Sequence, residues 1–493
     1  MNLQQWCELD ELIYVSQADE EYKQYAGLDF KKEIIEQLAE IKLNNSKILI
    51  DFFSNPRLLL LGAIEDIAYS KNKRLELELH NTRNEKVSSS KYKFEGSAVN
   101  WSTWRQFNSH EKDHTKRKEL FDEFILKTRY ITPIIEKRFL SIKQVYEEYG
   151  YSKVEPKEEN KLDPLSAYLE HENISYDKLI EFIKSMGERA KKPFEESSMD
   201  IGRTILGKEP EYYDDFYFFR NKIYSDIDSN FLAVDPLISV KKTLRAMEFD
   251  LSRIHFDTEN RRNKYPSPIC FFVRIPRDIR ILYKRESPYF DFQACFHETG
   301  HAMHASSIDE NNEYWNKYRI PMGIAEVFST FLEGLTKNSS YVNPLLGLNK
   351  DDKVMNKLIS RNRFMELFFV TFYAANSLMK IEYWKRNLSI DQACKLYSRL
   401  IKEYTGVEIP GEYWLLHHIL PESIIYVPSY LLAAVRAAEL NTYMKNRFGD
   451  KWWTEKESGK NLREIMKSGA SIDLSTFSNL DSSIFVKEIT EQI

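Results

Sequence analysis

His297-Glu298-Thr299-Gly300-His301 is the stretch that decides the fold, because it reads HExxH among apolar residues of helical periodicity. Two histidines four residues apart project from the same face of a helix, where both imidazoles can bind one zinc ion. The glutamate between them can reach water on such an ion and act as its base. The motif therefore predicts a zinc ion and a general base, and it leaves several enzyme classes open.

The helix that carries this motif has a recognisable start. Ser287 is a good N-cap and Pro288 suits the first helical position, so we expect a helix from Tyr289 to about Ser306. Apolar residues on several faces predict that the helix is buried: Phe292, Cys295, Phe296, Ala302 and Met303. Buried histidine and glutamate side chains need partners, and a metal ion supplies them.

The amino-acid composition is that of a globular protein and gives no sign of a nucleic-acid-binding or membrane protein. The 493 residues are 42% hydrophobic and 29% charged, as in ordinary globular proteins, and the net charge of −5 gives no reason to expect a nucleic-acid partner. Four scattered cysteines without a CxxC pair favour a reducing compartment. The N-terminus lacks a signal-peptide pattern, and no apolar run is long enough to span a bilayer. We expect a soluble, cytoplasmic protein with no membrane partner.

Most of the chain has the apolar periodicity of helices, as in Leu28–Ile50 and Glu119–Gln144, so the predicted fold class is mainly α. Strand signals are sparse. The candidates are Ile269–Ile275 and Ile279–Tyr283, which form a small sheet if Pro276, Arg277 and Asp278 make the turn between them.

A charged segment, residues 154–162, precedes Pro164 and predicts a domain boundary. We expect an N-terminal helical region over residues 1–160, which would be a lid or one half of a channel. The catalytic region is then residues 161–493.

The position of the third metal ligand separates classes of zinc peptidase. A metzincin would carry glycine at 304 and histidine at 307, where this chain has His304 and Ser307. A thermolysin-like enzyme would place glutamate about twenty residues after the second histidine, but Ile320 and Pro321 stand there. Both of these spacings are therefore excluded.

The next well-placed acid is Glu326, in an apolar segment of helical periodicity. Glu333 lies seven residues further and shares its helical face. We therefore expect Glu326 to be the third ligand, with Glu333 either behind a ligand or in a structural ion pair. Glu310 and Glu313 are rival ligands in a polar stretch just after the first helix.

HETGHAMH followed by AEVFSTFLE resembles the oligoendopeptidase F and thimet oligopeptidase family of zinc peptidases. That family has the motif HExGHxxH and a third ligand 25 residues after the second histidine, which is the separation of His301 and Glu326. The resemblance implies one zinc ion per chain, bound by His297, His301 and Glu326, with Glu298 as general base. It also implies a mainly helical fold, in which two halves surround a deep channel that admits short, unstructured peptides.

Members of that family also carry a histidine and several tyrosines near the C-terminus, which contact the substrate carbonyl. His418, Tyr426 and Tyr430 match that pattern, and Pro428 predicts a helix that runs towards Gly449. A tyrosine hydroxyl near the metal could donate to the developing oxyanion. In a chain with 29 tyrosines, packing is the competing explanation.

The resemblance does not cover the whole chain. It is specific over Pro288–Leu335, weaker over Leu206–Lys284 and Tyr413–Gly449, and absent before about residue 190. The chain is shorter than typical members, and residues 265–276 lack the glycine-rich segment found upstream of the metal helix. An edge strand there could still pair with an extended peptide.

The predicted function is a zinc-dependent oligopeptidase that hydrolyses internal bonds of short peptides. One alternative is a mostly helical zinc carboxypeptidase, which removes single residues from the C-terminus. A second alternative is a non-catalytic peptide-binding protein with a structural zinc ion, for which His304 is the obvious fourth ligand. The sequence leaves peptide preference and oligomeric state open.

Overall fold

The structure is a computed structural model of the 493-residue chain. It describes residues 1–53, 56–150, 162–261, 264–265, 268–285, 287–348, 353–417 and 425–491. Within these ranges no helix combines the length and apolar character that crossing a bilayer requires.

Helices dominate the described residues, which confirms the mainly α class. The first ten are α1 Leu3–Ala26, α2 Lys32–Phe52, α3 Arg57–Lys86, α4 Trp104–His110, α5 His114–Lys127, α6 Thr132–Tyr149, α7 Pro164–His171, α8 Tyr176–Leu206, α9 Asp215–Tyr217 and α10 Pro236–Ala246. The second ten are α11 Pro288–Ser307, α12 Tyr314–Tyr318, α13 Met322–Glu333, α14 Ser339–Leu346, α15 Lys353–Arg386, α16 Ile390–Thr405, α17 Trp414–His417, α18 Val427–Phe448, α19 Lys456–Met466 and α20 Ser482–Glu491.

Two small sheets accompany the helices. Their strands are β1 Ser88–Phe94, β2 Ser97–Asn100, β3 Ile254–Asp257, β4 Ile269–Arg274 and β5 Asp278–Leu282. β1 and β2 form an antiparallel hairpin, whereas the second sheet has the order β3-β5-β4, with β3 parallel and β4 antiparallel to β5. The predicted pair of strands is confirmed as β4 and β5, and the hairpin of β1 and β2 is a feature that sequence reasoning missed.

The described chain forms two compact units. The first comprises Met1–Ala63, Ile227–Ser360 and Ser429–Glu488, and the second Ile64–Asp226, Arg361–Pro428 and Ile489–Ile493. The boundary predicted within residues 154–162 falls almost wholly outside the described residues, so the division at residue 160 stays a prediction.

In the first unit, the three-stranded sheet packs between two helices. One face buries Ile279 and Ile281 against Ala302 and Ala305 of α11. The other face packs on α1, through a cluster of Tyr22, Ala26, Leu282 and Phe271. Burying an isoleucine side chain contributes about 1.5–3 kcal/mol, so this sheet is a firm support for the helix that carries the HExxH motif.

The second unit has an aromatic core. Trp104 of α4 is fully buried and packs against Phe121, Phe124 and Phe216 with ring centroids 5.0–5.1 Å apart. Aromatic pairs at such distances gain stability beyond the burial of their area. Much of the aromatic content therefore fills the core.

The predicted helical stretch Glu119–Gln144 is interrupted, which corrects that expectation. α5 ends at Lys127, a 3-10 turn covers Thr128–Tyr130, and α6 begins at Thr132. Pro133 stands in the first turn of α6, and proline has no N–H to continue a preceding helix. The apolar period continues across the break, so periodicity alone does not reveal it.

Candidate metal centre

The HExxH motif lies in the middle of α11, which begins and ends within one residue of the predicted bounds. Its flanking residues Phe292, Cys295, Phe296, Ala302 and Met303 are fully buried, as their apolar character predicted. Because these buried side chains lie on several faces of α11, they fix the rotation of the helix about its axis. His297 and His301 therefore lie side by side on one face, with ring centroids 4.9 Å apart.

Glu326 on α13 reaches both histidines. Its Oε2 atom lies 3.5 Å from Nε2 of His297 and 3.5 Å from Nε2 of His301. The carboxylate is buried, with 4% of the residue exposed, while both imidazoles are half-buried. One ligand atom from each of these three residues lies within 4.8 Å of the other two.

This arrangement fits a zinc ion. Two ligands about 2.1 Å from a tetrahedral zinc ion are separated by about 3.4 Å, and the observed nitrogen–oxygen distances are 3.5 Å. Two imidazole nitrogens and one carboxylate oxygen are donors that zinc commonly takes, with a fourth position left for water. The three residues could therefore hold the ion that the motif predicts.

Gly300 explains how the two helices come close enough. A Cβ atom at this position would lie 2.3 Å from the carbonyl oxygen of Phe328 and 2.6 Å from Cα of Ser329, both in α13. Contacts between backbones at this range leave no room for a side chain. The glycine inside the motif therefore permits the approach that brings Glu326 beside the histidines.

Ser329 holds Glu326 in place and is a residue that sequence reasoning missed. Its hydroxyl lies 3.1 Å from Oε2 of Glu326 and 3.0 Å from the carbonyl oxygen of the same residue. Ser329 is fully buried. The available signal was a serine three residues after an expected ligand on an otherwise apolar helix, because residues at that spacing are neighbours on the helix surface.

Glu333 lies behind a ligand rather than beside the expected ion. Its Oε2 atom is 3.0 Å from Nδ1 of His297, on the side of the ring opposite to Glu326. A metal-binding histidine usually donates its other ring nitrogen in this way, which fixes the tautomer and the orientation of the ring. The sequence allowed two roles for Glu333, and the structure shows both contacts, since the carboxylate meets the ring of His297 and also pairs with Lys337 at 2.9 Å.

Glu298 is half-buried beside the same centre. Burial raises its pKa to about 7, and Glu326 acts in the same direction, while His297 and the backbone N–H of Cys270 oppose the shift. Cys270 lies on β4, so this strand borders the glutamate as well as supporting α11. The carboxyl group therefore lies within electrostatic range of His297 and Glu326.

The remaining histidine of the motif region points elsewhere. His304 is buried, packs against Phe328 in a tilted arrangement with ring centroids 4.5 Å apart, and stands outside the cluster of possible ligands. Burial lowers its pKa to about 3, and burial likewise lowers that of His301 to about 4. The fourth ligand that a closed structural zinc site would need is therefore not supplied by His304.

The rival acids also lie apart from the centre. Glu310 is exposed and forms an ion pair with Arg277, and Glu313 is the exposed residue before α12. Neither belongs to a cluster of possible ligands among the described residues.

The C-terminal candidates are only partly placed. Tyr430 is half-buried in the first turn of α18, and Tyr426 is half-buried just before that helix, which begins within one residue of the predicted Pro428. His418 lies outside the described residues. The roles of all three stay predictions.

Comparison with known proteins finds one family model that matches a part of the chain. Residues 240–476 match the sequence model of peptidase family M3. The matched region contains α11, α13 and the strands β3, β4 and β5. No curated protein matches the chain in sequence.

Solved structures share the fold over almost the whole chain. The M32 carboxypeptidase from Deinococcus radiodurans R1 has a TM-score of 0.60 and 13% identity, over 98% of this chain and 97% of that one. PZ peptidase A, solved with an inhibitor, has a TM-score of 0.60 and 13% identity, over 99% and 86%. A Bacillus anthracis protein assigned as an oligoendopeptidase F has a TM-score of 0.58 and 14% identity, over 99% and 84%. At these identities the likeness concerns the fold alone.

Proposed function

We propose that this metallopeptidase, whose residues 240–476 match the model of peptidase family M3, is a zinc-dependent oligopeptidase acting on internal bonds of short, unstructured peptides. The observation that carries the proposal is the cluster of His297, His301 and Glu326, which lies inside the matched region. The resemblance of HETGHAMH and AEVFSTFLE to the oligoendopeptidase F and thimet oligopeptidase family supports cleavage of internal bonds. We expect one zinc ion per chain and a cytoplasmic protein.

In this mechanism His297, His301 and Glu326 are the metal ligands. A zinc ion bound there would supply a Lewis acid that activates water and polarises the scissile carbonyl. The carboxylate of Glu326 is kept in its orientation by the hydroxyl of Ser329 at 3.1 Å. A ligand held in this way needs little rearrangement during the reaction.

Glu298 is the general base in the proposed mechanism. Its carboxylate accepts a proton from the attacking water and then delivers that proton to the nitrogen of the leaving amine, so the group ends the cycle in its starting state. Its position next to His297 in sequence, and beside the backbone N–H of Cys270 on β4, supports this role. An extended peptide along that strand would bring its scissile bond towards Glu298.

Glu298→Gln tests the reaction, because glutamine keeps the shape of the side chain and cannot take a proton. We expect full zinc content and a loss of peptide cleavage of about 10²–10⁴-fold, the usual contribution of a general base. Zinc is measured by elemental analysis and cleavage with a mixed peptide library. Undiminished cleavage by the variant would overturn the proposal.

Tyr430 is proposed to donate a hydrogen bond to the oxyanion that forms at the scissile carbonyl, with Tyr426 and His418 as further candidates. Tyr430→Phe removes only the hydroxyl, and the loss of one such donor lowers kcat by about 10²–10³-fold. Tyr443→Phe is the matched control, since Tyr443 is also half-buried on α18 and its hydroxyl accepts from Arg447 at 2.9 Å. Equal kcat values for the two variants would remove Tyr430 from the mechanism.

A carboxypeptidase is the second candidate, and one observation favours it. The carboxypeptidase neighbours from Deinococcus radiodurans and Pyrococcus furiosus are matched over 97% and 99% of their own chains, against 84–86% for the two other peptidases. Mass spectrometry of products from a peptide with a blocked C-terminus separates the two reactions. Internal cuts support the oligopeptidase. Loss of single C-terminal residues from the free peptide, with no cleavage of the blocked one, supports the carboxypeptidase.

A further inference from the structure

The carboxylate behind His297 has a second partner. Oε2 of Glu333 lies 3.0 Å from Nδ1 of His297, and Oε1 of the same group lies 2.9 Å from Nζ of Lys337. The two oxygens are therefore divided between an imidazole and an ammonium group. A carboxylate with both oxygens engaged cannot rotate about its last bond without breaking one of these contacts, so Lys337 restricts how Glu333 meets the ring.

The local backbone places Lys337 at this position. α13 ends at Glu333, and a 3-10 turn over Gly334–Lys337 brings the lysine back beside the glutamate. The hydroxyl of Thr336 donates to the carbonyl oxygen of Glu333 at 2.7 Å, which tightens the turn.

The turn is also tied to α11, the helix that carries His297. The hydroxyl of Tyr289, a fully buried residue in the first turn of α11, donates to the carbonyl oxygen of Thr336 at 3.2 Å. The same helix therefore holds the imidazole and anchors the segment that supplies its support. Shifts of α13 against α11 would disturb both ends of the arrangement together.

The ion pair is shielded from water more than most surface pairs. The side chains of Glu333 and Lys337 are 22% and 24% exposed. Shielding strengthens a charge-assisted hydrogen bond and reduces its screening by salt. The negative charge on Glu333 makes it an acceptor for the N–H at Nδ1, which leaves the lone pair of Nε2 for a metal.

We propose that Lys337 is a positioning residue of the metal centre, which acts through Glu333 to hold the ring of His297 with Nε2 directed at the ligand position. This inference rests on the proposed function, because it needs a metal at that position. Lys337 pairs with Glu333 and stands outside the cluster of possible ligands. Its effect is on metal binding and on the geometry around the metal.

Three variants in the full-length chain test the inference: Glu333→Gln, Lys337→Met and Lys337→Arg. Zinc affinity is measured by competition with a chromogenic chelator, and the visible absorption of the Co²⁺-substituted protein reports the metal geometry. Loss of a residue behind a metal ligand weakens binding by about 10–100-fold. We expect a loss of zinc affinity in that range for Glu333→Gln. For Lys337→Met we expect a loss at its lower end, together with a changed Co²⁺ spectrum. Lys337→Arg should recover the zinc affinity and the Co²⁺ spectrum of the wild type.

Lys127→Met is the matched control. Lys127 pairs with Glu123 at 2.6 Å with the same four-residue spacing, and these side chains are 24% and 28% exposed. We expect this variant to keep the zinc affinity and Co²⁺ spectrum of the wild type. The melting temperature of each metal-free protein shows whether Lys337→Met disturbs the fold more than the control does.

The outcomes distinguish the inference from the proposed function. If the wild type binds no zinc, both the inference and the proposed function are wrong. If the wild type binds zinc and Lys337→Met matches it in affinity and Co²⁺ spectrum, Lys337 has no positioning role while the proposed function stands. If Lys337→Met weakens zinc binding only in proportion to a lower melting temperature, and Lys337→Arg does not recover it, the role is structural and the inference is overturned.

Discussion

The two helices of the candidate metal centre contribute to it in different ways. α11 provides both histidines and the candidate base from one five-residue motif, whose spacing places them on adjacent positions of a single helix. α13 provides Glu326 and the side chains of Ser329 and Glu333, which contact the candidate ligands Glu326 and His297. The contribution of α11 is encoded in local spacing, whereas that of α13 depends on how closely the two helices pack.

The largest expected effect on zinc affinity comes from removing one proposed ligand from each helix. His301→Ala and Glu326→Ala each take one of three protein ligands, and we expect each to weaken zinc binding on the order of a thousandfold. Competition with a chelator measures the affinity. If Glu326→Ala binds zinc as tightly as the wild type while His301→Ala does not, then Glu326 is not a ligand.

Packing between the helices is tested by Gly300→Ala. A side chain at this position meets the backbone of Phe328 at 2.3 Å, so the helices must separate. We expect a loss of stability of about 1–3 kcal/mol, as in overpacked cores, together with weaker zinc binding because Glu326 moves from the histidines. Denaturant unfolding of the metal-free protein and zinc titration measure the two effects.

Gly334→Ala is the control for this substitution. A Cβ atom at Gly334 meets nothing within 4 Å, and the residue follows directly after α13. We expect stability and zinc affinity close to those of the wild type. Equal behaviour of the two glycine variants would show that the close approach at Gly300 does not matter for the centre.

The smallest expected effect concerns the hydroxyl that holds Glu326. Ser329→Ala removes a hydrogen bond, which is worth about 1 kcal/mol of stability, and we expect zinc binding to weaken about tenfold. Ser307→Ala on α11 is the control, because that hydroxyl donates to the carbonyl oxygen of Met303 at 2.7 Å. If zinc affinity changes equally in both variants, Ser329 has no specific role in holding Glu326.

The difference between local spacing in α11 and packing against α13 also explains which features of the site could be predicted from the sequence. The spacing of HExxH, the start of its helix at Ser287-Pro288 and the shared face of Glu326 and Glu333 are local properties, and the structure has all three. The contact of Gly300 with α13 and the hydrogen bond from Ser329 are tertiary properties. No pattern within either helix displays them, although each residue occupies a position that spacing could have singled out.

The fold was predictable to a similar extent. The mainly α class and the pair of β4 and β5 follow from periodicity, and the interrupted helix around Pro133 shows the limit of that reasoning. The hairpin of β1 and β2 was not predicted, because a register shift between Ser89 and Lys93 breaks the alternation of buried side chains. Its turn at Glu95 and Gly96, both with positive φ, was the available signal.

X-ray absorption at the zinc edge of the purified full-length protein tests the central claim most directly. The account predicts one zinc ion per chain with only nitrogen and oxygen neighbours, at about 2.0–2.2 Å. Cys295 precedes His297 on α11 and Cys270 borders Glu298, so these two cysteines are the alternative ligands that the measurement tests. A sulfur neighbour at about 2.3 Å, or less than stoichiometric zinc that does not increase on titration, would contradict the proposed ligands.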